Sequence, residues 1–391
     1  MLNFEFYSPT RFIFGKNQEQ QVGEQLKKRN VKKVLLHYGG SSIKKSGLYD
    51  RVVKSLNEAK IEFVELGGVV PNPRDTLVYK GIEMCKQNNV DFVLAVGGGS
   101  VIDSSKAIAV GTPYEGDFWD FYCGKLEATE VLPVGVILTI PAAGSEGSDG
   151  SVITKEDGML KRSYGTDLMR PVFAIMNPEL TYTLPNYQTA CGAADIMAHV
   201  FERYFTNTAG VDFSDRLCES VLSTIVKYVP IALKENDNYE ARANIMWAGT
   251  IAHNGLCGVD RENDWGSHQI EHELSGLYDV AHGAGLAVVF PAWMRYVYKH
   301  DIMRFAQIAQ RVWGCEMDFR NPEATALKGI EALEQFFKSI GLPITFNELG
   351  AKESDIDFLA ENADYNNGDK MGYFNPLSVD DVKQVLRIAA R

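Results

Sequence analysis

The chain has 391 residues, with 51 acidic against 39 basic side chains and a formal net charge of −12. That length suggests about two or three domains with ample core, and the acidic balance disfavours an extended phosphate backbone, so no nucleic-acid partner is expected. No apolar run approaches the roughly 18 residues that span a membrane, and MLNFEFYSPTRF lacks a basic start followed by an apolar core, so neither membrane contact nor export is expected and the location reads as cytoplasmic. Cys85, Cys123, Cys191, Cys218, Cys257 and Cys315 are scattered without CxxC spacing, the pattern of reduced thiols.

From about residue 31 to 180, β-rich runs alternate with helical segments: VKKVLLHY, IEFVEL, DFVLAVGGGS, VLPVGVILTI and PVFAIMNP read as strands. This is the α/β pattern of a largely parallel sheet. The third strand delivers Gly97, Gly98, Gly99 and Ser100 to the start of a helix. Three glycines let the backbone turn sharply and approach a ligand closely, and a helix start offers unpaired N–H groups and a positive dipole end, a cradle for a diphosphate. Asp103 and Lys106 follow on a similar face of that helix, where the plain alternative is a surface ion pair of little worth. Trp119, Phe121 and Tyr122, with Leu256 and Trp265, are candidates for an apolar pocket, although aromatic residues so spaced are more often core.

After Leu184 the segments turn helical: 187–208, 212–235, 239–257, 266–276, 301–312, 323–340, 353–364 and 379–390. Apolar spacings of three and four recur, as in Ala326, Ile330, Leu333 and Phe337. A domain boundary therefore falls near residue 184, giving an α/β unit over 1–184 and a helical one over 185–391. Within the helical half, Asp195 and His199 are four apart in an otherwise apolar helix, so they share one face. A buried carboxylate is costly unless paired or bound to metal. His268 and His282, in GSHQIEHELSGLYDVAHGAGLA, add two imidazoles. One carboxylate with three imidazoles suits a divalent first-row ion and leaves room for a substrate. His37, His253 and His300 are isolated and carry no assigned chemistry, with His253 read as packing.

GGGSVIDSSKAIA, TIPAAGSEGSDGSVIT, NPELTYTLP, ADIMAHVFE, SHQIEHELSG and AHGAGLA, in this order and spacing, resemble the iron-containing (group III) alcohol dehydrogenases over essentially the whole chain, nearest the butanol dehydrogenase branch. The resemblance implies a Rossmann-like dinucleotide-binding domain followed by an all-helical metal-binding domain. It implies that Asp195, His199, His268 and His282 bind one catalytic metal, Fe²⁺ favoured and Zn²⁺ possible, and that Gly97, Gly98, Gly99 and Ser100 bind the cofactor diphosphate. Thr139, Val152, Lys161, Tyr182 and Leu184 match cofactor-side positions, Asp103 is counted with them, and His272 matches a histidine near the reacting centre. It further implies primary alcohols and short aldehydes as substrates, interconverted by hydride transfer, and a homodimer. AAGSEGS departs from the family's usual ATGSEMN-like segment at Ala143 and Gly147, which touches contacts around the nicotinamide ring. Cys191 lies outside the pattern and is read as packing.

Cofactor choice turns on LLHYGGSSIKKSG. In dinucleotide folds an acid near this strand end takes the ribose 2′-hydroxyl and repels a 2′-phosphate. Here Gly39, Gly40, Ser41 and Ser42 offer N–H groups and hydroxyls instead, with Lys44 and Lys45 nearby, so NADP(H) is favoured and NAD(H) admitted. Three competing readings are a dehydroquinate synthase-like lyase on the same scaffold, a metallohydrolase using Glu271 or Glu273 as base, and a nonenzymatic nucleotide or metal sensor. The ligand-flanking segments are poor in the Arg and Lys that anionic sugar acids would need. Neither the hydrolase nor the sensor explains both the GGGS turn and the metal set.

Overall fold

The computed structural model describes residues 1–365 and 368–391. The chain forms two compact units, Tyr7–Thr183 and Met1–Phe6 with Leu184–Arg391. The first unit contains β1 (Arg11–Phe14), α1 (Val22–Lys27), β2 (Lys33–Tyr38), α2 (Leu48–Glu58), β3 (Glu62–Leu66), α3 (Asp75–Asn88), β4 (Phe92–Gly97), α4 (Gly99–Gly111), β5 (Val134–Leu138), β6 (Gly150–Lys155), β7 (Leu160–Gly165) and β8 (Phe173–Met176). Six strands pair in parallel in the order β1-β8-β5-β4-β2-β3, and β6 and β7 form a separate antiparallel hairpin.

All residues of β4 and β5 are buried, as expected of parallel strands covered on both faces. Val34, Leu36, Leu94, Val96, Ile137 and Ile175 form one side of the core, where the rings of Phe92 and Phe173 stack at 5.9 Å. Leu48, Val52, Ser55 and Leu56 put the buried face of α2 at helical spacing. The chain steps from β2 outward to β3, then back past β2 to β4 and onward to β5. The order therefore reverses between β2 and β4, and the crevice at their carboxyl ends is where open α/β sheets bind ligands.

The five β-rich runs of the sequence form β2, β3, β4, β5 and β8, whereas β1 and the hairpin carry no such signal. RFIF is four residues long with no alternation to read, and the hairpin strands are polar and half-exposed. Trp119, Phe121 and Tyr122 are buried, with Trp119 and Tyr122 stacked at 5.5 Å, so they are core rather than pocket wall.

The second unit is helical: α5 (Asn186–Tyr204), α6 (Asp212–Lys234), α7 (Tyr239–His253), α8 (Gly266–Tyr278), α9 (His282–Val297), α10 (Ile302–Trp313), α11 (Pro322–Ser339), α12 (Ile356–Asn362) and α13 (Val379–Ala389). Every residue of α5 from Thr189 to Tyr204 is buried, so this helix is enclosed on all sides. Ala326, Ile330, Leu333 and Phe337 are buried as their spacing predicts. Helix α9 is absent from the segments expected to be helical, because HGAGLAVVFPAWMRYV is apolar almost all round and carries Pro291, so it shows neither an amphipathic period nor an uninterrupted helical composition. Met1–Phe6 belongs with the helical unit rather than the first domain, because the Leu2 N–H donates to the Asp260 carbonyl at 2.8 Å. Among the described residues, no helix is long and apolar enough to cross a membrane.

His37, at the end of β2, is fully buried; its Nδ1 lies 2.8 Å from the Leu66 carbonyl and its Nε2 2.8 Å from the Ser104 hydroxyl, tying β2 to β3 and α4. Burial lowers its pKa from 6.5 to about 4, against the smaller raising effect of the Leu66 carbonyl. The unfolded chain thus takes up the proton first as pH falls. Stability from the neutral ring is complete above about pH 6.5 and is lost between there and pH 4, by up to about 3 kcal/mol. In urea titrations, the stability difference between wild type and His37→Gln is expected to shrink on going from pH 7 to pH 4.5. A difference constant over that range would refute a neutral buried His37.

Candidate active site: a metal centre and a dinucleotide cradle

In the helical unit, one helical turn along α5 puts Asp195 and His199 side by side, with Asp195 Oδ1 3.2 Å from His199 Nδ1. His282, the first residue of α9, brings its Nε2 to 3.8 Å from the same Asp195 oxygen, and ligand atoms of Asp195, His268 and His282 all lie within 4.8 Å of one another. The His199 and His268 rings are 4.8 Å apart. Tetrahedral ligands at about 2.1 Å from one ion sit about 3.4 Å apart, so the two closer separations bracket the spacing that a shared cation sets. His199 Nδ1 is buried and makes no hydrogen bond among the described residues. Burial, the imidazoles of His253, His268 and His282, and Arg203 hold His199 well below its usual pKa, in the neutral form a metal requires. The residues present fit a divalent ion bound by oxygen and nitrogen.

Close packing of α9 makes this convergence possible. A methyl group at Gly283 would lie 2.0 Å from the Cys191 carbonyl oxygen, and one at Gly285 would lie 2.5 Å from Glu271 Oε1. The HGAG sequence is therefore a packing requirement that lets His282 reach the residues of α5.

Two buried carboxylates complete the arrangement. Glu202 on α5 accepts from His268 Nδ1 at 2.7 Å, from the His268 N–H at 3.1 Å and from the Trp265 N–H at 2.7 Å. Burial pushes its carboxyl up to about 8, against the lowering effect of those two N–H groups. Glu271 on α8 accepts from His282 Nδ1 and from the Ser275 hydroxyl. With Nδ1 so engaged, the nitrogen each ring offers to a cation is Nε2. The hydrolase reading made Glu271 a base beside metal-bound water, but these two bonds already engage its carboxylate. Sequence reasoning missed the role of both acids. The available signal was a Glu three residues after a His in α5 and in α8, His199 before Glu202 and His268 before Glu271, a charge that needs a partner where the helix is buried.

His253, read as a packing residue, stands edge-on to His199 at 4.0 Å between ring centroids, with Nδ1 3.3 Å from the Arg203 guanidinium. Trp265, proposed for an apolar pocket, faces His199, His253 and His268 at 6.0, 5.7 and 5.2 Å. Its φ of 67° is left-handed, which costs a bulky residue about 1–3 kcal/mol, and its N–H bond to Glu202 fixes it there. His272, one turn after His268, is half-buried with its ring 5.8 Å from that of His282.

In the α/β unit, Gly97 ends β4 and Gly98 caps α4. None of the three glycines has a left-handed φ, so the expected sharp turn is not what selects them. Space is what selects them: a methyl group at Gly97, Gly98 or Gly99 would lie 2.4 Å from Val101, 2.8 Å from Ile140 or 2.9 Å from Ala143. The first turn of α4 still leaves its leading N–H groups outside the helical ladder. Thr139, at the end of β5, donates its N–H to the Gly97 carbonyl at 3.0 Å. Gly39, Gly40 and Ser41 follow β2 on the other side of β4, and a methyl group at Gly39 would lie 3.8 Å from Val101. The switch-point crevice therefore collects Gly39, Gly97 and Thr139.

Asp103 and Lys106 are not a surface ion pair. Lys106 is fully buried, and its Nζ donates to Ser145 Oγ at 3.0 Å, Ser148 O at 2.9 Å and Gly150 O at 2.8 Å. Asp103 accepts from the Ser145 hydroxyl at 2.6 Å and the Val152 N–H at 3.0 Å. Burial lowers Lys106 to about 8 with Asp103 opposing, and raises Asp103. The pair holds the hairpin carrying Val152 and Lys161 against α4. The Lys161 Nζ donates to Asn72 Oδ1 at 3.2 Å. Tyr182 follows β8, and Leu184 opens the helical unit. Lys44 Nζ is 3.7 Å from Glu65 and packs over Tyr38 and Tyr49, so part of the positive charge expected near Gly39 is balanced.

Residues 9–178 match the family described as iron-containing alcohol dehydrogenase, and residues 189–390 match the C-terminal domain of the Fe-containing alcohol dehydrogenase family. The chain belongs to the iron-containing alcohol dehydrogenase family. It is 43% identical over 388 residues to NADH-dependent butanol dehydrogenase A of Clostridium acetobutylicum, covering 99% of each chain. It is 34% identical to the NADPH-dependent aldehyde reductase YqhD of Escherichia coli over 100% of both. The crystal structure of NADH-dependent butanol dehydrogenase A from Thermotoga maritima superimposes with a TM-score of 0.97 at 41% identity, covering 100% of this chain and 99% of that one. An oxidoreductase of the CH–OH group, using a metal and a nicotinamide cofactor, follows from the family, and the lyase alternative finds no support among these relatives.

Proposed function

We propose that this member of the family interconverts short-chain primary alcohols, butanol among them, and their aldehydes. The observation that carries this reading is the convergence of Asp195, His268 and His282, with His199 against Asp195, in one largely buried cluster. Asp195, His199, His268 and His282 would hold one divalent ion, Fe²⁺ in preference to Zn²⁺, and Gly97, Gly98, Gly99 and Ser100 the cofactor diphosphate. When bound, the ion supplies a Lewis acid for the substrate oxygen and the dinucleotide a donor or acceptor of hydride. The N–H groups at the start of α4 would bind the diphosphate charge. Thr139, Val152, Lys161, Tyr182 and Leu184 would complete the cofactor side, with Asp103 acting through the Val152 backbone. His272 would hold the proton that the substrate oxygen gains or gives up.

NADP(H) is the favoured nucleotide. Gly39 stands where an acid would repel a 2′-phosphate, and the nearby Glu65 carboxylate is taken up by the hydroxyls of Tyr38 and Tyr49, each at 2.8 Å. The similar butanol dehydrogenases are named for NADH and the aldehyde reductase for NADPH, so the Gly-Ser turn carries this choice.

Elemental analysis of the purified protein should find about one divalent ion per chain, since four donors complete one shell. His268→Ala should lower metal content and turnover together, and full turnover without metal would refute the site. His272→Ala is expected to keep the metal and the bound nucleotide while turnover drops about 10²–10⁴-fold; parallel loss of metal would make it a support for the ligands instead. A side chain at Gly39 meets Val69 O at 3.4 Å with no left-handed φ, so Gly39→Asp is tolerated sterically. Wild type should show the higher kcat/KM with NADPH and Gly39→Asp the higher with NADH, because the new carboxylate accepts a ribose hydroxyl and repels the phosphate. A wild-type preference for NADH would overturn the nucleotide assignment.

A further inference from the structure

The geometry points to Glu202 and Glu271 as positioning residues for the metal centre, each fixing the ligand carried by the next helix: Glu202 of α5 orients His268 of α8, and Glu271 of α8 orients His282 of α9. This rests on the reading of His268 and His282 as ligands and adds to it the groups that aim them.

Both carboxylates are buried, Glu202 at 1% exposure and Glu271 at 0%, in surroundings where an ionised carboxyl is costly. In each pair the ion partner is an imidazole. Glu202 spends one oxygen on His268 alone, through Nδ1 at 2.7 Å and the backbone N–H at 3.1 Å, and the other on the Trp265 N–H at 2.7 Å. One carboxylate thus sets the ring orientation of His268 and the start of the helix that carries it. Glu271 has Ser275, one turn further along α8, on one oxygen and His282 Nδ1 on the other. Gly285 gives that carboxylate its seat, since a methyl group there would lie 2.5 Å from Glu271 Oε1.

The two contacts run in sequence, α5 to α8 and α8 to α9, so the three helices that carry the four donors are joined by them. A donating Nδ1–H locks the tautomer with the Nε2 lone pair available, and a negative partner strengthens that nitrogen as a donor. Asp195 and His199 already share one face of one helix. His268 and His282 come from other helices, and each has a buried carboxylate from outside the donor set against its Nδ1.

The test measures metal, not turnover. Wild type, Glu202→Gln and Glu271→Gln are purified as holoenzymes, and release of the bound ion to excess chelator and its affinity on reloading are followed by elemental analysis. Far-UV circular dichroism and the thermal midpoint of the metal-stripped proteins are recorded alongside. Each Gln variant should keep the stripped protein's fold and midpoint while losing metal affinity by about 10–100-fold. With Co²⁺ loaded in place of the native ion, each should also shift the ligand-field absorption, which a merely structural role would leave in place. Should a Gln variant fail to fold, Glu202→Asp, which withdraws the carboxylate by one methylene, and Ser275→Ala, which loosens Glu271, test the same two arms. Both are expected to release metal faster than wild type. Wild-type affinity and spectrum in either arm overturns the inference, whereas a wild-type protein that binds no ion fails the ligand reading itself.

Discussion

The candidate metal centre depends on the approach of α9 to α5 and α8 with no side chain between them. Gly283 lies against the backbone of Cys191 and Gly285 against the Glu271 carboxylate, at separations that no β-carbon could share. That contact brings His282 Nε2 to 3.8 Å from Asp195 Oδ1 and places Glu271 beside His282 Nδ1. Widening it by one methyl group would move His282 and its carboxylate partner together. Packing therefore gathers these donors, because α5 lies more than 60 residues before α8 and α9 in sequence and only backbone proximity can bring its Asp195 and His199 within a few ångströms of His268 and His282.

The α/β unit uses the same device for a different purpose. Glycines at 97, 98 and 99 have ordinary backbone angles but no room for side chains, so β4 and α4 meet Val101, Ile140 and Ala143 directly. Below that turn, Lys106 ties three polar groups of the 145–150 segment to α4, and Asp103 ties down the hairpin. A buried ammonium with several acceptors is costly to remove and hard to displace. Val152 and Lys161 on the hairpin are thereby fixed relative to the glycine turn at 97–99, as binding a long, two-headed ligand in one register would require.

Much of this was legible in the sequence, and the gaps have physical causes. The i, i+4 spacing of Asp195 and His199 in an apolar helix announced a buried polar face, and the parallel strands announced themselves as unbroken apolar runs. A helix that is apolar all round and contains proline announces nothing, which is why α9 escaped while the amphipathic α11 did not. The long-range pairs escaped for another reason. Glu202 and His268 are 66 residues apart and Glu271 and His282 come from different helices, so no local spacing links either acid to its histidine. Burial of Lys106 was equally invisible, since an i, i+3 acid and base look the same on a surface helix as beneath a sheet.

Charge explains why these hidden groups belong together. Asp195, Glu202 and Glu271 are all buried in one helical unit; His199 beside Asp195 is held well below its usual pKa by burial and its charged neighbours, and His268 and His282 lie against Glu202 and Glu271. Ionising all three acids would put negative charge where burial disfavours it, and the raised pKa of Glu202 reflects that cost even with Arg203 nearby. A divalent cation among the imidazoles would offset that charge through the rings, with each carboxylate one imidazole away from the positive charge. Strain at Trp265 fits this picture: its backbone is held in the left-handed region by a bond to Glu202, so the helix start that presents His268 is maintained by the acid that also orients the ring.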